Sequence, residues 1–297
     1  MNEFISSKSL IISLVLSFVI LGYIFVKNLD PITKIVFCDV GQGDAIYIRV
    51  KNRFDILIDA GPDRKILNCL GRHMPFYDKK IELAFISHPQ KDHFYGFIYL
   101  IDRYQIERFF ISPIDNTSLS FQSLKKKINN QKIKIDVVYA GKKINIYDSS
   151  LVFLWPSKEF SANNLIYDKT SNDQPDYKLP ILGASSLDSN HFSLVMLYQE
   201  TNFRALLTGD ASSLALNRLP KWQIIKTNLL KVPHHGSKNG LNEQFVRLAD
   251  PQVAVISVGE NNPYGHPASE TLALLQALKT KIRRTDTEGD IVFKIKR

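Results

Sequence analysis

Three apolar runs in this chain each end at a histidine or an aspartate, and that repetition narrows the fold more than any other feature. Residues 83–86 run into Ser87-His88-Pro89-Gln90-Lys91-Asp92-His93, residues 203–207 into Thr208-Gly209-Asp210, and residues 229–232 into Pro233-His234-His235-Gly236-Ser237. Short apolar runs bounded by turn residues read as buried strands. A strand fixes where its last residue lies, and the turn after it lets side chains from several strands converge. Imidazole and carboxylate both suit zinc or manganese, so these turns read as the parts of one metal site. His266 adds another histidine in the turn Asn262-Pro263-Tyr264-Gly265-His266-Pro267, ahead of a helix. Five of the seven histidines therefore sit at such turns, where scattered core histidines would not collect.

The remaining pattern alternates strands and helices, which indicates an α/β domain rather than an all-β one. Strands are expected over residues 34–40, 44–50, 54–59, 83–87, 108–112, 133–139, 150–155, 192–199, 203–208, 229–232, 253–258 and 291–295. Helices are expected over 93–104, 119–128 and 267–278, and a long polar loop over 157–190. Ahead of all this, residues 10–26 are nearly all apolar and uncharged, between Lys8 and Lys27. A run of this length is expected to span a membrane as a helix, and it lacks the small-residue cleavage pattern of a signal peptide. The division expected is an anchor and linker over 1–30 and a folded domain over 31–297. The flanking charges slightly favour an N-terminus inside and the domain outside the cytoplasm.

The apolar fraction of 44% supports a real core, and two cysteines exclude a disulfide scaffold. Cys38 lies in an apolar run and reads as a buried small side chain; one bond to Cys69 is possible in an oxidising compartment. The net charge of +9 suits a polyanionic substrate, an anionic membrane surface, or simply a solvated lysine-rich surface. Lys125-Lys126-Lys127 and Tyr95, Tyr99 and Tyr104 are candidates for phosphate contact and base stacking; at helical spacing they read more simply as a solvated face and as packing.

H-x-x-x-D-H after one strand, T-G-D after a second and H-H-G-S after a third resemble the metallo-β-lactamase superfamily. Phe37-Cys38-Asp39-Val40-Gly41-Gln42-Gly43-Asp44-Ala45, the Leu57-Ile58-Asp59-Ala60-Gly61 run, the Y-G-H-P turn at 264–267 and Arg284-Thr285-Asp286 narrow the likeness to the extracytoplasmic domain of ComEC-type DNA-uptake proteins. The likeness covers roughly 33–297 and leaves out the multi-helix channel of those proteins. It implies a four-layer αββα sandwich with one or two divalent ions, Zn or Mn, at one edge. Carried over position by position, His88, Asp92, His93, Asp210 and His235 are the implied ligands, with Asp210 bridging if two ions bind. Asp92 and Asp210 would also orient water, His234 and His266 would donate protons or contact phosphate, and Asp59 would orient a ligand histidine. One position departs: Gln90 stands where the motif carries histidine or aspartate. A neutral amide weakens the half of the site that uses His88, so one ion, or one tight and one loose, is expected.

The resemblance and the charge together imply a membrane-anchored phosphodiesterase acting on DNA, alongside a separate channel protein. Two alternatives stand beside it: a hydrolase of small phosphodiesters or lactones, and a degenerate domain that binds DNA or a partner without cleaving. The histidine pattern of antibiotic-hydrolysing enzymes is missing around Asn190-His191.

Overall fold

The computed structural model describes residues 7–29, 32–167, 180, 182–224 and 226–296, with the side chains of 24–29 excepted. Helix α1 covers Ser7–Leu29. One sheet is built from β1 (Thr33–Phe37), β2 (Ile46–Val50), β3 (Phe54–Ile58), β5 (Leu83–Ile86), β7 (Arg108–Ile111) and β8 (Lys134–Val137), closed by β16 (Ile291–Ile295). Its order is β16-β1-β2-β3-β5-β7-β8. The other holds β9 (Lys143–Ile146), β10 (Ser149–Trp155), β11 (Val195–Glu200), β12 (Phe203–Leu207), β13 (Leu229–Lys231), β14 (Val253–Ile256) and β15 (Lys281–Arg284), in reverse order from β15 to β9. β4 (Lys80–Ile81) and β6 (Gln105–Ile106) form a short pair beside them.

Alternation along each strand makes the layers. Ile35, Phe37, Ile46, Ile48, Phe85 and Phe110 point inward and meet Phe153, Met196, Tyr198, Leu207 and Val255 of the facing sheet. Their neighbours Val36, Tyr47, Leu57, Ala84 and Phe109 point outward, under Ile66 and Leu70 of α2 (Lys65–His73), Phe94 of α3 (Lys91–Phe94), Phe97 of α4 (Phe97–Leu100) and Phe121 and Leu124 of α5 (Leu119–Asn130). On the far side, Leu197, Leu206, Leu230 and Ala254 lie under α6 (Lys158–Asn164), α7 (Ser213–Asn217), α8 (Lys221–Ile224), α9 (Glu243–Ala249) and α10 (Ser269–Ala277). α11 (Thr285–Glu288) follows β15. A strand covered on both faces is mostly apolar along its length, which is why the central strands read as near-continuous apolar runs. The architecture is the expected αββα sandwich.

Several boundaries differ from the sequence reading. The single helix expected over 93–104 is two short ones, α3 and α4, because Gly96 meets the chain near Ala60: a β-carbon there would lie 1.9 Å from the Ala60 carbonyl oxygen. Residues 192–194 are not strand; a 3-10 turn covers Ser189–Phe192, and β11 begins at Val195. The loop expected over 157–190 contains α6, capped by the Ser157 hydroxyl, while residues 168–179 and 181 of it lie outside the described residues. Cys38 and Cys69 are joined in a disulfide, with Cα atoms 5.8 Å apart, pinning α2 to the end of β1. Among the described residues no helix is long and apolar enough to cross a membrane. The run expected to do so lies in α1, whose side chains are described only as far as Tyr23.

β3, β5, β7 and β8 run parallel in one sheet, and β12 to β15 run parallel in the other. The residues following β3, β5, β12, β13 and β14 consequently emerge at one end of the sandwich, the usual place for a site in an α/β sheet.

Candidate metal centre

Asp92 and His93 come from α3, Asp210 follows β12, and His235 follows β13. One ligand atom from each lies within 4.8 Å of the other three. His93 Nε2 is 3.3 Å and His235 Nε2 is 3.2 Å from Asp210 Oδ2; Asp92 Oδ2 is 3.2 Å from His235 Nε2 and 3.8 Å from His93 Nε2. Four ligands at about 2.1 Å from a tetrahedral ion would stand about 3.4 Å apart, so the spacing fits one divalent ion. His93 Nε2 and Asp210 Oδ2 are buried and make no hydrogen bond. Such atoms are costly unless something cationic satisfies them. Asp92 keeps 30% of its side chain exposed, while the other three ligands are buried, so solvent reaches the cluster on the Asp92 side.

Both imidazoles are fixed from behind. Asp59 accepts from His93 Nδ1 at 2.9 Å, and its other oxygen accepts from the Ser87 amide at 2.8 Å. His235 Nδ1 donates to the Ser257 carbonyl at 2.9 Å. Each ring is thereby turned to present Nε2, the tautomer an ion needs. Burial disfavours charge on both rings. The Asp210 carboxylate opposes it, aided at His93 by Asp92 and Asp59 and at His235 by the nearby Asp44 and Asp92 carboxylates, and holds both imidazoles well above their ordinary range. Burial likewise opposes the Asp210 charge, but His235, His93 and Lys231 hold it well below the usual carboxylate range. This is the field of a cation site, and an ion entering it displaces protons.

The backbone is shaped to permit this. His234 and His235 both have positive φ, 50° and 52°, a strained conformation for side-chain-bearing residues that is found at functional sites. Gly209, at φ +50°, lies so close to Ser193 that a β-carbon would stand 2.4 Å from its hydroxyl; that hydroxyl accepts from the Asp210 amide at 3.0 Å.

His88 stands apart from the four. Its ring centroid is 4.2 Å from that of His93, its Nδ1 meets the Ser87 hydroxyl at 3.1 Å, and its Nε2 is buried without a partner. Burial and the neighbouring His93 push its pKa down to about 3, so it is neutral. Gln90 donates to the Ser189 hydroxyl at 2.9 Å. His234 and His266 form a rim, with ring centroids 5.8 Å apart, and Tyr264 stacks on His266. Asn262 holds that turn through the His266 amide and carbonyl, at 3.0 and 2.7 Å. His191 is turned away, to the Ser212 hydroxyl at 2.6 Å. The lysine run is engaged elsewhere: Lys125 pairs with Asp115, and Lys127 with Asp102. Tyr95 and Tyr99 pack edge to face, under Lys91 and Arg64, and Tyr104 is buried.

Two residues of the centre were missed in the sequence. Lys231 is fully buried; it ion-pairs with Asp44, donates to the Gly209 carbonyl at 2.8 Å and lies 3.5 Å from Asp210 Oδ1. The signal was present as a charge inside the apolar run Leu229-Leu230-Lys231-Val232. Asp44 sits in the D-V-G-Q-G-D-A stretch. It is brought in by Gly43, where a β-carbon would lie 2.3 Å from the Asp92 carbonyl.

No family model matches the chain. ComE operon protein 3 of Bacillus subtilis is 26% identical over 87% of the chain, which spans about a third (32%) of that relative's length. The metallo-β-lactamase fold protein YhfI of Bacillus subtilis superposes with a TM-score of 0.56 at 11% identity, over 90% of this chain and 100% of that one. Zn(2+)-bound PqqB of Methylobacterium extorquens superposes with a TM-score of 0.55 at 11% identity, over 88% and 99%. The chain has the metallo-β-lactamase fold, and in sequence it resembles the ComEC-type competence proteins.

Proposed function

We propose that the chain is a membrane-anchored, metal-dependent phosphodiesterase whose substrate is DNA, working beside a separate channel protein in DNA uptake. The observation that carries the hydrolytic reading is the convergence of Asp92, His93, Asp210 and His235 on one point. Zinc and manganese both suit two imidazoles and two carboxylates. An ion held there supplies Lewis acidity and makes water acidic enough to attack near neutral pH.

The chain's own groups do the rest. Asp92, on the solvent side, accepts a proton from or orients an attacking water. Asp59 and Ser257 keep the imidazoles from turning. His266 is held below its ordinary pKa by burial and then by His234 and His235, so it acts as a neutral hydrogen-bonding group toward a phosphate oxygen. His234, the other rim imidazole, is the group we assign to protonate a leaving alkoxide, a role typically worth about 10²–10⁴ in rate.

DNA as substrate is supported by the likeness to ComE operon protein 3 and by the net charge of +9. The anchor is supported by α1 itself: Leu10, Ile11, Phe18, Leu21 and Tyr23 are each at least half exposed on it. The division at residues 30–31 follows from that. The Cys38–Cys69 disulfide supports an extracytoplasmic domain, since such bonds persist in oxidising compartments. A second reading, a binding domain with a retired site, is favoured by Gln90, a neutral amide where the motif carries histidine or aspartate.

Metal content of the purified protein, with cleavage of labelled single- and double-stranded DNA in manganese or zinc, tests the proposal against an Asp92→Ala, Asp210→Ala control. Bound metal and cleavage lost in the control support it. Bound metal without DNA cleavage shifts the substrate to small phosphodiesters or lactones. No metal and no cleavage leaves the binding domain.

A further inference from the structure

We infer that the end of the sandwich opposite the metal centre is a docking face for anionic phospholipid headgroups. This rests on the reading of α1 as the anchor. The chain leaving α1 joins the domain at that end: the Ile32 carbonyl accepts from Asn52 at 3.1 Å, and the Thr33 hydroxyl accepts from the Lys51 amide at 3.1 Å. Both contacts lie on the β2–β3 hairpin, where β3 begins, while Asp59 of the centre follows where β3 ends.

Three exposed aromatic side chains surround this junction. Arg49 bonds the Asn52 carbonyl and Asp78, each at 2.9 Å, which draws Phe76 and Tyr77 to the hairpin; they are 89% and 59% exposed. Tyr147, 58% exposed, packs edge to face on Phe54, and its neighbour Asp148 pairs with Lys51. Aromatic rings clustered at the foot of an apolar helix are what a membrane interface selects.

Beside them, at the open edge between β8 and β9, is a cleft of about 820 Å³ lined by Arg108, Lys132, Lys134, Lys142 and Lys143. Its two carboxylates are already engaged, Lys80 taking Glu82 and Glu107 at 3.4 and 2.8 Å, and of its cations Arg108 is paired with Asp136. Lys132, Lys134 and Lys143 are exposed and have no carboxylate partner among the described residues. Unpaired lysines next to a membrane attract its anionic lipids. A nucleic acid held here would lie a strand's length from the ligands, about 13–17 Å, so the cleft is badly placed to feed the centre. Lipid phosphate is the better match.

Among the described residues, the three apolar clusters of the sandwich take none from α1, so residues 31–297 carry a core of their own and are the fragment to test. Co-sedimentation of that fragment with phosphatidylcholine vesicles, with and without phosphatidylglycerol, is the experiment. Binding is expected only with phosphatidylglycerol, falling about 10-fold or more in Lys132→Glu, Lys134→Glu, Lys143→Glu and again in Phe76→Ser, Tyr77→Ser, with circular dichroism and metal content unchanged. Absence of binding to either vesicle overturns the inference. So does binding of a DNA duplex, but not of vesicles, that the lysine variants abolish. Detergent extraction of the full chain from membranes reports separately on α1: the fragment can fail while the anchor stands, and the reverse.

Discussion

Lys231 Nζ lies 3.5 Å from Asp210 Oδ1, with both side chains fully buried, and the same ammonium closes an ion pair with buried Asp44. Oδ2 of Asp210 is the oxygen that faces the two imidazoles, at 3.3 and 3.2 Å. One carboxylate is therefore shared between a permanent cation behind it and a ligand cluster in front. Burial disfavours charge on Lys231, but Asp44 and Asp210 outweigh it and raise its pKa. Lys231→Met strands two buried carboxylates. Removing one partner of a buried pair costs about 3–5 kcal/mol, and chemical denaturation should read a loss of that size. Asp44→Asn added to Lys231→Met should recover part of it; equal loss in single and double variants would show that the pair is not coupled.

The disulfide stabilises the domain by restricting the unfolded chain. Cys38 and Cys69 are 31 residues apart, and closing a loop of that length removes roughly 3–4 kcal/mol of unfolded-chain entropy. Denaturation of the wild type with and without reductant, and of Cys38→Ser, Cys69→Ser, should differ by that amount. A reduced protein as stable as the oxidised one would mean that packing of α2, not the bond, holds this corner.

Much of the fold was legible because its signals are local. Strand β5 is apolar throughout, β12 and β13 are apolar but for Arg204 and Lys231, and the turns after them carry the candidate ligands, so the sequence and the site coincide. What escaped depends on through-space contact. Lys231 looks like an interruption of an apolar strand until Asp44 arrives from the far side of the sandwich. α2 was not foreseen because the disulfide and Asp290 secure it, the latter through Arg72 and His73 at 2.7 and 2.8 Å. β9 and β15 are edge strands with exposed lysines at their starts, which hides the alternation that marks an inner strand.

Acid should weaken the metal-free fold through His88. Its folded pKa is pushed down to about 3 by burial and by His93, against an unfolded value near 6.5. The unfolded chain therefore binds the extra proton between those values, and stability present above pH 6.5 falls as pH drops toward 3. Alone, this group contributes a slope of about 1.4 kcal/mol per pH unit. His93 and His235 have the opposite sign: their raised pKa gives stability that is full below pH 6.5 and is lost as pH climbs through the folded value. Denaturation in chelator across pH should show His88→Gln flattened on the acid side only. A slope unchanged by that substitution would rule out His88 as the acid-sensitive group.

Metal count follows from Gln90. The cluster of Asp92, His93, Asp210 and His235 is complete for one ion, with two carboxylates balancing its charge. The neighbouring position has only neutral groups beyond the shared Asp210: His88, whose Nε2 is buried and unpartnered, and Gln90, whose side-chain NH2 donates to Ser189 at 2.9 Å. Asn190, in the same turn as Ser189, is buried with its side-chain oxygen also unpartnered. An amide oxygen is a weaker zinc ligand than imidazole or carboxylate, so the purified protein should hold one equivalent of zinc by elemental analysis. Gln90→Asp or Gln90→His should add a second, weaker equivalent that Asp210→Ala removes together with the first. His235→Ala should lose the tight ion and leave no compensating one. Two equivalents in the wild type would show instead that His88 and the neutral amides suffice for the second position.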